Sequence, residues 1–163
     1  MKIIGLLSDT HNSLDEKFFN FFEDCDEIWH AGDFGSLALA DKLSNFKFLR
    51  GVYGNIDDYK TRLIYPETQR FTVEKCDVFM IHIGGYPGKY SLKAKKVLEE
   101  KPPKIFVCGH SHILKVIYDK KYDCLTINPG AAGWYGQQAK RTVLKFKISE
   151  NEIKDLEICE LPR

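Results

Sequence analysis

Apolar residues come along this chain in short runs, each ending abruptly in small or polar residues. Ile3, Ile4, Leu6 and Leu7 are almost uninterrupted, the pattern of a strand buried on both faces in the middle of a sheet. Glu27-Ile28-Trp29-His30 and residues 46–52 repeat the pattern, and the three runs end at Asp9-Thr10-His11, Gly32-Asp33 and Tyr53-Gly54-Asn55. Between them the period changes. Leu14, Phe18, Phe21 and Phe22 form one stripe of a helix over about 14–22, with Asn12 or Ser13 as its cap, and Ser36 caps a second helix running through about Leu43. Aromatics at helical spacing are core against a sheet.

Tyr65-Pro66 breaks the chain before runs at 69–74 and 78–83, which flank Lys75-Cys76-Asp77 as a hairpin whose second arm contains His82. Residues 84–88 read as a loop. Leu92, Lys95, Lys96 and Leu98 belong to a helix stopped by Pro102-Pro103, and Ile105-Phe106-Val107-Cys108 is a further buried strand ending at Gly109-His110-Ser111-His112. The rest is β. Residues 114–118 turn at Asp119-Lys120-Lys121 and return through Leu125-Thr126-Ile127 to Asn128-Pro129-Gly130. Leu144, Phe146 and Ile148 alternate with lysines before a turn at Glu150-Asn151 and a last strand. Strand–helix–strand units followed by antiparallel ribbons predict an α/β domain of two packed sheets with helices outside.

With 163 residues and no visible linker, the chain reads as one domain over 1–163. A formal charge of +1 provides no general attraction to nucleic acid or anionic membrane, and the lysines of the 92–98 helix sit among Glu99 and Glu100 as a solvated face. Five scattered cysteines with no C-x-x-C pair indicate neither a zinc knuckle nor a disulfide framework, and free thiols fit a reducing cytoplasm. The N-terminal apolar run is too short for a signal-peptide core, and nothing approaches the ~20 apolar residues of a membrane span.

The polar residues at the strand ends are Asp9, His11, Asp33, Asn55, His82, His110 and His112, which include four of the five histidines. On extended backbone, residues two apart face the same way, so Asp9 with His11, and His110 with His112, are expected to aim at one spot beyond the carboxyl ends of the strands. Two carboxylates, an amide oxygen and four imidazoles are too many ligands for one ion and suit two, with Asp33 shared. Mixed nitrogen and oxygen donors without thiolate favour Mn, Fe, Ni, Co or catalytic Zn over Ca or Mg. Two divalent cations bring about +4, the two aspartates return about −2 and a bridging hydroxide about −1, which leaves roughly +1 to attract a singly charged phosphodiester. Two ions ~3.5–4 Å apart can bind its oxygens and hold that hydroxide in line with the leaving group.

In order, Asp9-Thr10-His11, Gly32-Asp33, Gly54-Asn55-Ile56-Asp57, His82, Gly109-His110-Ser111-His112 and Asn128-Pro129-Gly130 resemble the motif series of the calcineurin-like metallophosphoesterases, in their small single-domain phosphodiesterase branch. The resemblance implies a four-layer α/β/β/α sandwich with a dinuclear centre, manganese being the first candidate ahead of Ni, Fe, Zn or Co. It assigns Asp9, His11 and His112 to one ion, Asn55, His82 and His110 to the other, and Asp33 as the bridge. It further implies a small-molecule or nucleotide-type phosphoester substrate and self-association as a dimer or tetramer. Around these residues, His30 is expected to make a supporting hydrogen bond rather than bind metal. Asp57 either orients the Asn55 turn or is solvated, and Asn128 either holds a ligand loop or is a plain turn residue. Tyr86 and Trp134 line the pocket or pack at the surface.

Three departures stand out. Ile56 replaces the histidine that in the broader family assists the leaving group, which predicts activity on aryl phosphodiesters and weak activity on alkyl monoesters. Ile83 separates His82 from the following glycine, and Ala131 stands where serine is common. Two other functions compete with the phosphodiesterase. The retromer scaffold subunit resembles the family in fold but has lost part of the ligand set, which this chain keeps. Some larger members cut nucleic acid, but no basic stripe is present here.

Overall fold

The computed structural model describes all 163 residues. One five-stranded sheet has the order β12-β11-β1-β2-β3, in which β1 (Lys2–Leu7), β2 (Glu27–His30) and β3 (Phe48–Gly51) run parallel. β11 (Lys140–Ser149) lies antiparallel to β1, with β12 (Glu152–Pro162) outside it. The second sheet has the order β4-β5-β8-β10-β9. Its central strands β5 (Cys76–Ile81), β8 (Ile105–Val107) and β10 (Cys124–Pro129) are parallel, and its edges β4 (Thr68–Val73) and β9 (Leu114–Asp119) antiparallel. β6 (Gly85–Tyr86) and β7 (Lys89–Tyr90) make a small ribbon.

Strand parity sorts the apolar residues into layers. Ile4 and Leu6 of β1 meet Val78, Met80, Ile105 and Val107 in the core between the sheets, with Trp29 and Phe146 as its largest fillers. The opposite faces carry Leu7 and Ile28 onto Phe18, Ala40 and Leu43 of α1 (Glu16–Phe21) and α2 (Leu37–Phe46), and Phe79, Ile81 and Phe106 onto Ala94 and Leu98 of α4 (Leu92–Glu100). The result is the expected α/β/β/α sandwich, with both faces of each sheet covered. Gly5 lets the first helical layer close, since a Cβ there would stand 2.6 Å from the Ile28 side chain and 2.7 Å from Phe22. No helix is long and apolar enough to cross a membrane.

Several boundaries move from the sequence reading. α1 is capped by Asp15, whose carboxylate accepts from Lys17 N, because Asn12 and Ser13 are already used in the loop after β1. Asn12 N donates to Phe34 O at 2.7 Å and Ser13 Oγ to Thr10 O at 3.2 Å. α2 runs on to Phe46, so β3 begins only at Phe48. The β4–β5 hairpin turns at Glu74-Lys75, with Glu74 at φ 54°, which places Cys76 and Asp77 inside β5. The ribbon β6–β7 occupies the segment read as a loop. α3 (Tyr59–Ile64), capped by Asp58, gives no periodic signal because Tyr59, Leu63 and Ile64 are all exposed and only Thr61 is buried.

Candidate metal centre

The loops that follow the parallel strands of both sheets meet at one end of the sandwich. Hydrogen bonds knit them together: His110 N donates to Asp9 Oδ2 at 3.1 Å across the sheet boundary, while Gly109 N donates to His82 O at 2.9 Å within the second sheet's loops and Asp9 N to Gly32 O at 2.9 Å within the first's. All seven side chains singled out in the sequence come together there. Asp9, His11 and His112 form one cluster, and Asp33, His82 and His110 the other, with candidate ligand atoms in each within 4.8 Å of one another. His112 Nε2 lies 3.2 Å from Asp9 Oδ1. Asp33 Oδ2 is 3.2 Å from His82 Nε2 and 3.5 Å from His11 Nε2, so this one carboxylate touches both clusters. Asn55 Oδ1 completes the second, 3.1 Å from His82 Nε2 and 2.9 Å from His110 Nδ1.

The backbone reaches this arrangement by a route that extended geometry does not allow. Asp9 (φ 53°), His11 (φ 43°), Asp33 (φ 60°), His110 (φ 70°) and His112 (φ 60°) all lie in the left-handed region. Strict alternation along an extended strand is therefore not what aims Asp9 with His11, or His110 with His112. Each sits in a tight turn just past a strand, at a cost of roughly 1 kcal/mol or more per residue that the surrounding loops must hold in place. Gly54 and Gly109 permit the crowding: a Cβ on Gly54 would lie 2.0 Å from Asp33 Oδ1, and one on Gly109 2.0 Å from Ser8 Oγ.

Do these residues suit cations? Asp9 is fully buried, and its Oδ1 has no hydrogen-bond partner, nor has the buried His11 Nε2. Orphaned buried donors and acceptors of this kind are rare, and here they face one another around a common space. His82 Nδ1 lies 2.7 Å from the Ala31 carbonyl, which can only accept, so Nδ1 carries a proton, and Nε2, facing Asp33 and Asn55, is the nitrogen whose lone pair a cation would take in exchange for its proton. Burial would raise the Asp9 carboxyl, but contacts with His11 and His112 and the charge of His82 outweigh it and hold the group well below the usual range. Burial likewise opposes ionisation of Asp33, and the His82 contact and the Ile56 N–H overcome it. Burial and the nearby His82 push His110 down, toward the neutral form that binds metal. The donor set fits two divalent cations.

The supporting residues resolve clearly. His30 is completely buried and pushed down to about 3 by burial, so it is neutral. Its Nδ1 accepts from Gly32 N at 3.1 Å, which leaves Nε2–H to face Thr10 Oγ1 at 3.0 Å. It braces the Asp9 and Asp33 turns and approaches neither cluster's ligand atoms. Asp57 is buried and accepts from three backbone N–H groups, Gly54 (2.8 Å), Phe34 (3.2 Å) and Gly35 (3.0 Å), which ties the Asp33 turn to the Asn55 turn. Asn128 Nδ2 donates to Gly109 O at 2.8 Å and Ser111 Oγ at 3.1 Å, and its Oδ1 accepts from Gly130 N, so it fixes the His110–His112 loop. Trp134 packs at the surface against Arg141, 3.6 Å from the ring centroid, whereas Tyr86 lines a groove beside His110. Asp57→Ala strands three N–H groups and is expected to cost roughly 3 kcal/mol in denaturant unfolding, with reduced metal uptake. A stability within about 0.5 kcal/mol of wild type would assign Asp57 to solvent alone.

Two contributors had no signal of their own in the sequence. Ser8 Oγ donates to Asp9 Oδ2 at 2.7 Å, and Tyr135 stacks on His11 with ring centroids 4.8 Å apart. Tyr135 arrives there because Gly130-Ala131-Ala132-Gly133 packs tightly on the Asp9 loop, Ala132 N bonding to Ser8 O and Gly133 N to Asp9 O. That run of small residues was the available hint.

A family model described as the calcineurin-like phosphoesterase superfamily domain matches residues 1–151. A probable metallophosphoesterase of Methanothermobacter thermautotrophicus is 28% identical over 134 residues, covering 79% of this chain and 76% of the relative. Among solved structures, one described as a novel archaeal phosphodiesterase has a TM-score of 0.76 at 22% identity, covering 96% of this chain and 99% of its own. Vps29 of Chaetomium thermophilum has a TM-score of 0.78 at 13% identity, covering 99% and 97%. Both structural likenesses speak to the fold. With the family model spanning most of its length, the chain belongs to the calcineurin-like phosphoesterase superfamily.

Proposed function

We propose that this protein is a dinuclear metal-dependent phosphodiesterase, with Asp9, His11 and His112 holding one ion, Asn55, His82 and His110 the other, and Asp33 both. The observation that carries the reading is the pair of clusters joined through Asp33, with Asp9 Oδ1 and His11 Nε2 buried and unpaired between them. When bound, two divalent ions such as Mn, Ni, Fe, Zn or Co would supply Lewis acidity to the phosphoryl oxygens and lower the pKa of a water. Asn55 directs Oδ1 inward to His82 and His110, which leaves its exposed amide nitrogen to donate to a phosphoryl oxygen. A cleft of about 490 Å³ opens beside Asn55 and His82, and Tyr53, Ile83, Leu92 and Arg62 on its wall suit the organic arm of an ester.

Ile56 decides which esters turn over. Its backbone N–H bonds to Asp33 Oδ1 at 3.0 Å, so its side chain stands at the rim of the centre, 44% exposed, and offers no proton. Leaving groups that need an acid are therefore disfavoured. Manganese-reconstituted protein is expected to hydrolyse bis-p-nitrophenyl phosphate, to lose this activity in chelator, and to cleave alkyl monoesters slowly. Ile56→His should raise alkyl monoester turnover by about 10²-fold, the usual gain from a placed general acid. Equal turnover of both ester classes by the wild type would show that an acid is supplied from elsewhere. A chain that takes up manganese but cleaves no activated diester would point to the scaffold reading that the Vps29-like fold keeps open.

A further inference from the structure

Immediately beside His110 lies a groove of about 340 Å³, formed by the β6–β7 ribbon, the start of β9 and the Gly109-His110-Ser111 turn. No carboxylate lines it, in a chain with 23 acidic residues, and two lysines do. About half of the chain's lysines find acids, such as Lys42 with Glu16, Lys147 with Asp155 and Lys154 with Glu152, while others such as Lys60 and Lys96 stand free in solvent. Lys89 and Lys115 pair with none. Lys115 is half-buried, and its ammonium stands 3.7 Å from the centroid of the Tyr86 ring. A ring face returns only part of the hydration such a charge gives up, so the site favours an incoming anion.

Asp119, held by the Tyr90 hydroxyl, is already engaged. It accepts from Tyr90 Oη at 2.7 Å and from Lys121 N at 3.0 Å, and lies behind the tyrosine. Ser91, the cap of α4, lines both this groove and the larger cleft, and the first turn of that helix holds no acidic residue, so its dipole adds positive potential to the shared wall. The groove thus continues the substrate cleft through Ile83 and Ser91, which line both; the cleft sets Arg62 and Lys93 against Glu67, whereas the groove has Lys89 and Lys115 with no acid.

We propose that this groove is an anion subsite for a second phosphate of the substrate, which makes the preferred substrates small nucleotide-type phosphodiesters carrying a further phosphoryl group. The proposal rests on the phosphodiesterase reading for its chemistry, though not for its binding. Lys115 and Lys89 hold the second phosphate while the scissile one sits at the metal centre, and substrate charge rather than the apolar arm selects among esters.

The test compares two inhibitors of bis-p-nitrophenyl phosphate hydrolysis, adenosine 3′,5′-bisphosphate and adenosine 5′-monophosphate. Wild type should favour the bisphosphate. In Lys89→Ala/Lys115→Ala its inhibition constant should rise about tenfold relative to that of the monophosphate, as expected for lost charge-assisted contacts. Lys115→Met, which keeps the stem against Tyr86, should show the same direction. Equal changes for both inhibitors, or none, would overturn the subsite while leaving the phosphodiesterase intact. Calorimetric titration of the metal-loaded proteins with the bisphosphate needs no turnover: lysine-dependent binding without diester hydrolysis would keep the subsite and remove the reaction.

Discussion

Asp33→Ala is expected to lower bis-p-nitrophenyl phosphate turnover by about 10³-fold or more, with metal content falling from two ions per chain to one or none. The size of the effect follows from position. Asp33 Oδ2 is the one carboxylate oxygen within reach of both His82 and His11 at 3.5 Å or less, so its loss opens both clusters at once, whereas His110→Ala removes a donor from one. Asp33 Oδ1 also accepts the Ile56 N–H, so alanine loosens the Asn55 turn as well. Asp33→Asn separates the two causes. The amide preserves volume and can still accept from Ile56, but it withdraws the negative charge from between the clusters. If the Asp33→Asn variant retained wild-type turnover and both ions, Asp33 would be a turn residue and the centre would have to be held by other groups. Circular dichroism on both variants distinguishes a lost site from a lost fold.

The sandwich was legible because burial on both faces leaves little freedom. Ile4 and Leu6 against Ile3 and Leu7, or Val78 and Met80 against Phe79 and Ile81, alternate between two cores, and that parity forces helices onto the outer faces. The seven candidate ligands were legible for a different reason: imidazoles are otherwise scarce in this chain, and all but His82 follow a run whose end is marked by the loss of apolar residues, whereas Ile83 hid the end of β5 at Ile81. What sequence could not reveal was the conformation that aims them. Left-handed backbone at Asp9, His11, Asp33, His110 and His112 depends on contacts with distant segments, such as Gly35, where a Cβ would stand 2.2 Å from Asn12 N. α3 was invisible because it buries almost nothing, and Tyr135 because its partner His11 lies more than a hundred residues away. Local pattern reports burial; it does not report which loop leans on which.

On the proposed dinuclear reading, that dependence would give the metals a structural consequence as well as a chemical one. Chelation is expected to lower the melting temperature of the manganese-loaded protein by roughly 10–20 °C. Each ion held at about 100 times its dissociation constant adds ~2.7 kcal/mol, and a chain of this size shifts ~2–4 °C per kcal/mol. The pH course follows from His82. Burial opposes its proton, but Asp33 and the charge of Asp9 raise its pKa above 6.5, so in the metal-free protein that proton bonds where an ion would bind. Its stabilising contribution is complete below about 6.5, the unfolded value, and is lost as pH rises through the raised folded value. Asp9 and Asp33 act in the opposite sense and far lower, losing their contribution only as pH falls below about 3.8. An ion needs His82 neutral, so metal and proton compete, and the gap between manganese-loaded and chelated melting temperatures should widen as pH rises from about 6 toward the His82 pKa. Asp9→Asn should shrink the gap at every pH by weakening the Asp9–His11–His112 cluster. Superimposable melting curves with manganese and with chelator would mean that the unpaired Asp9 Oδ1 and His11 Nε2 are not completed by a cation, and the dinuclear centre would have to be abandoned.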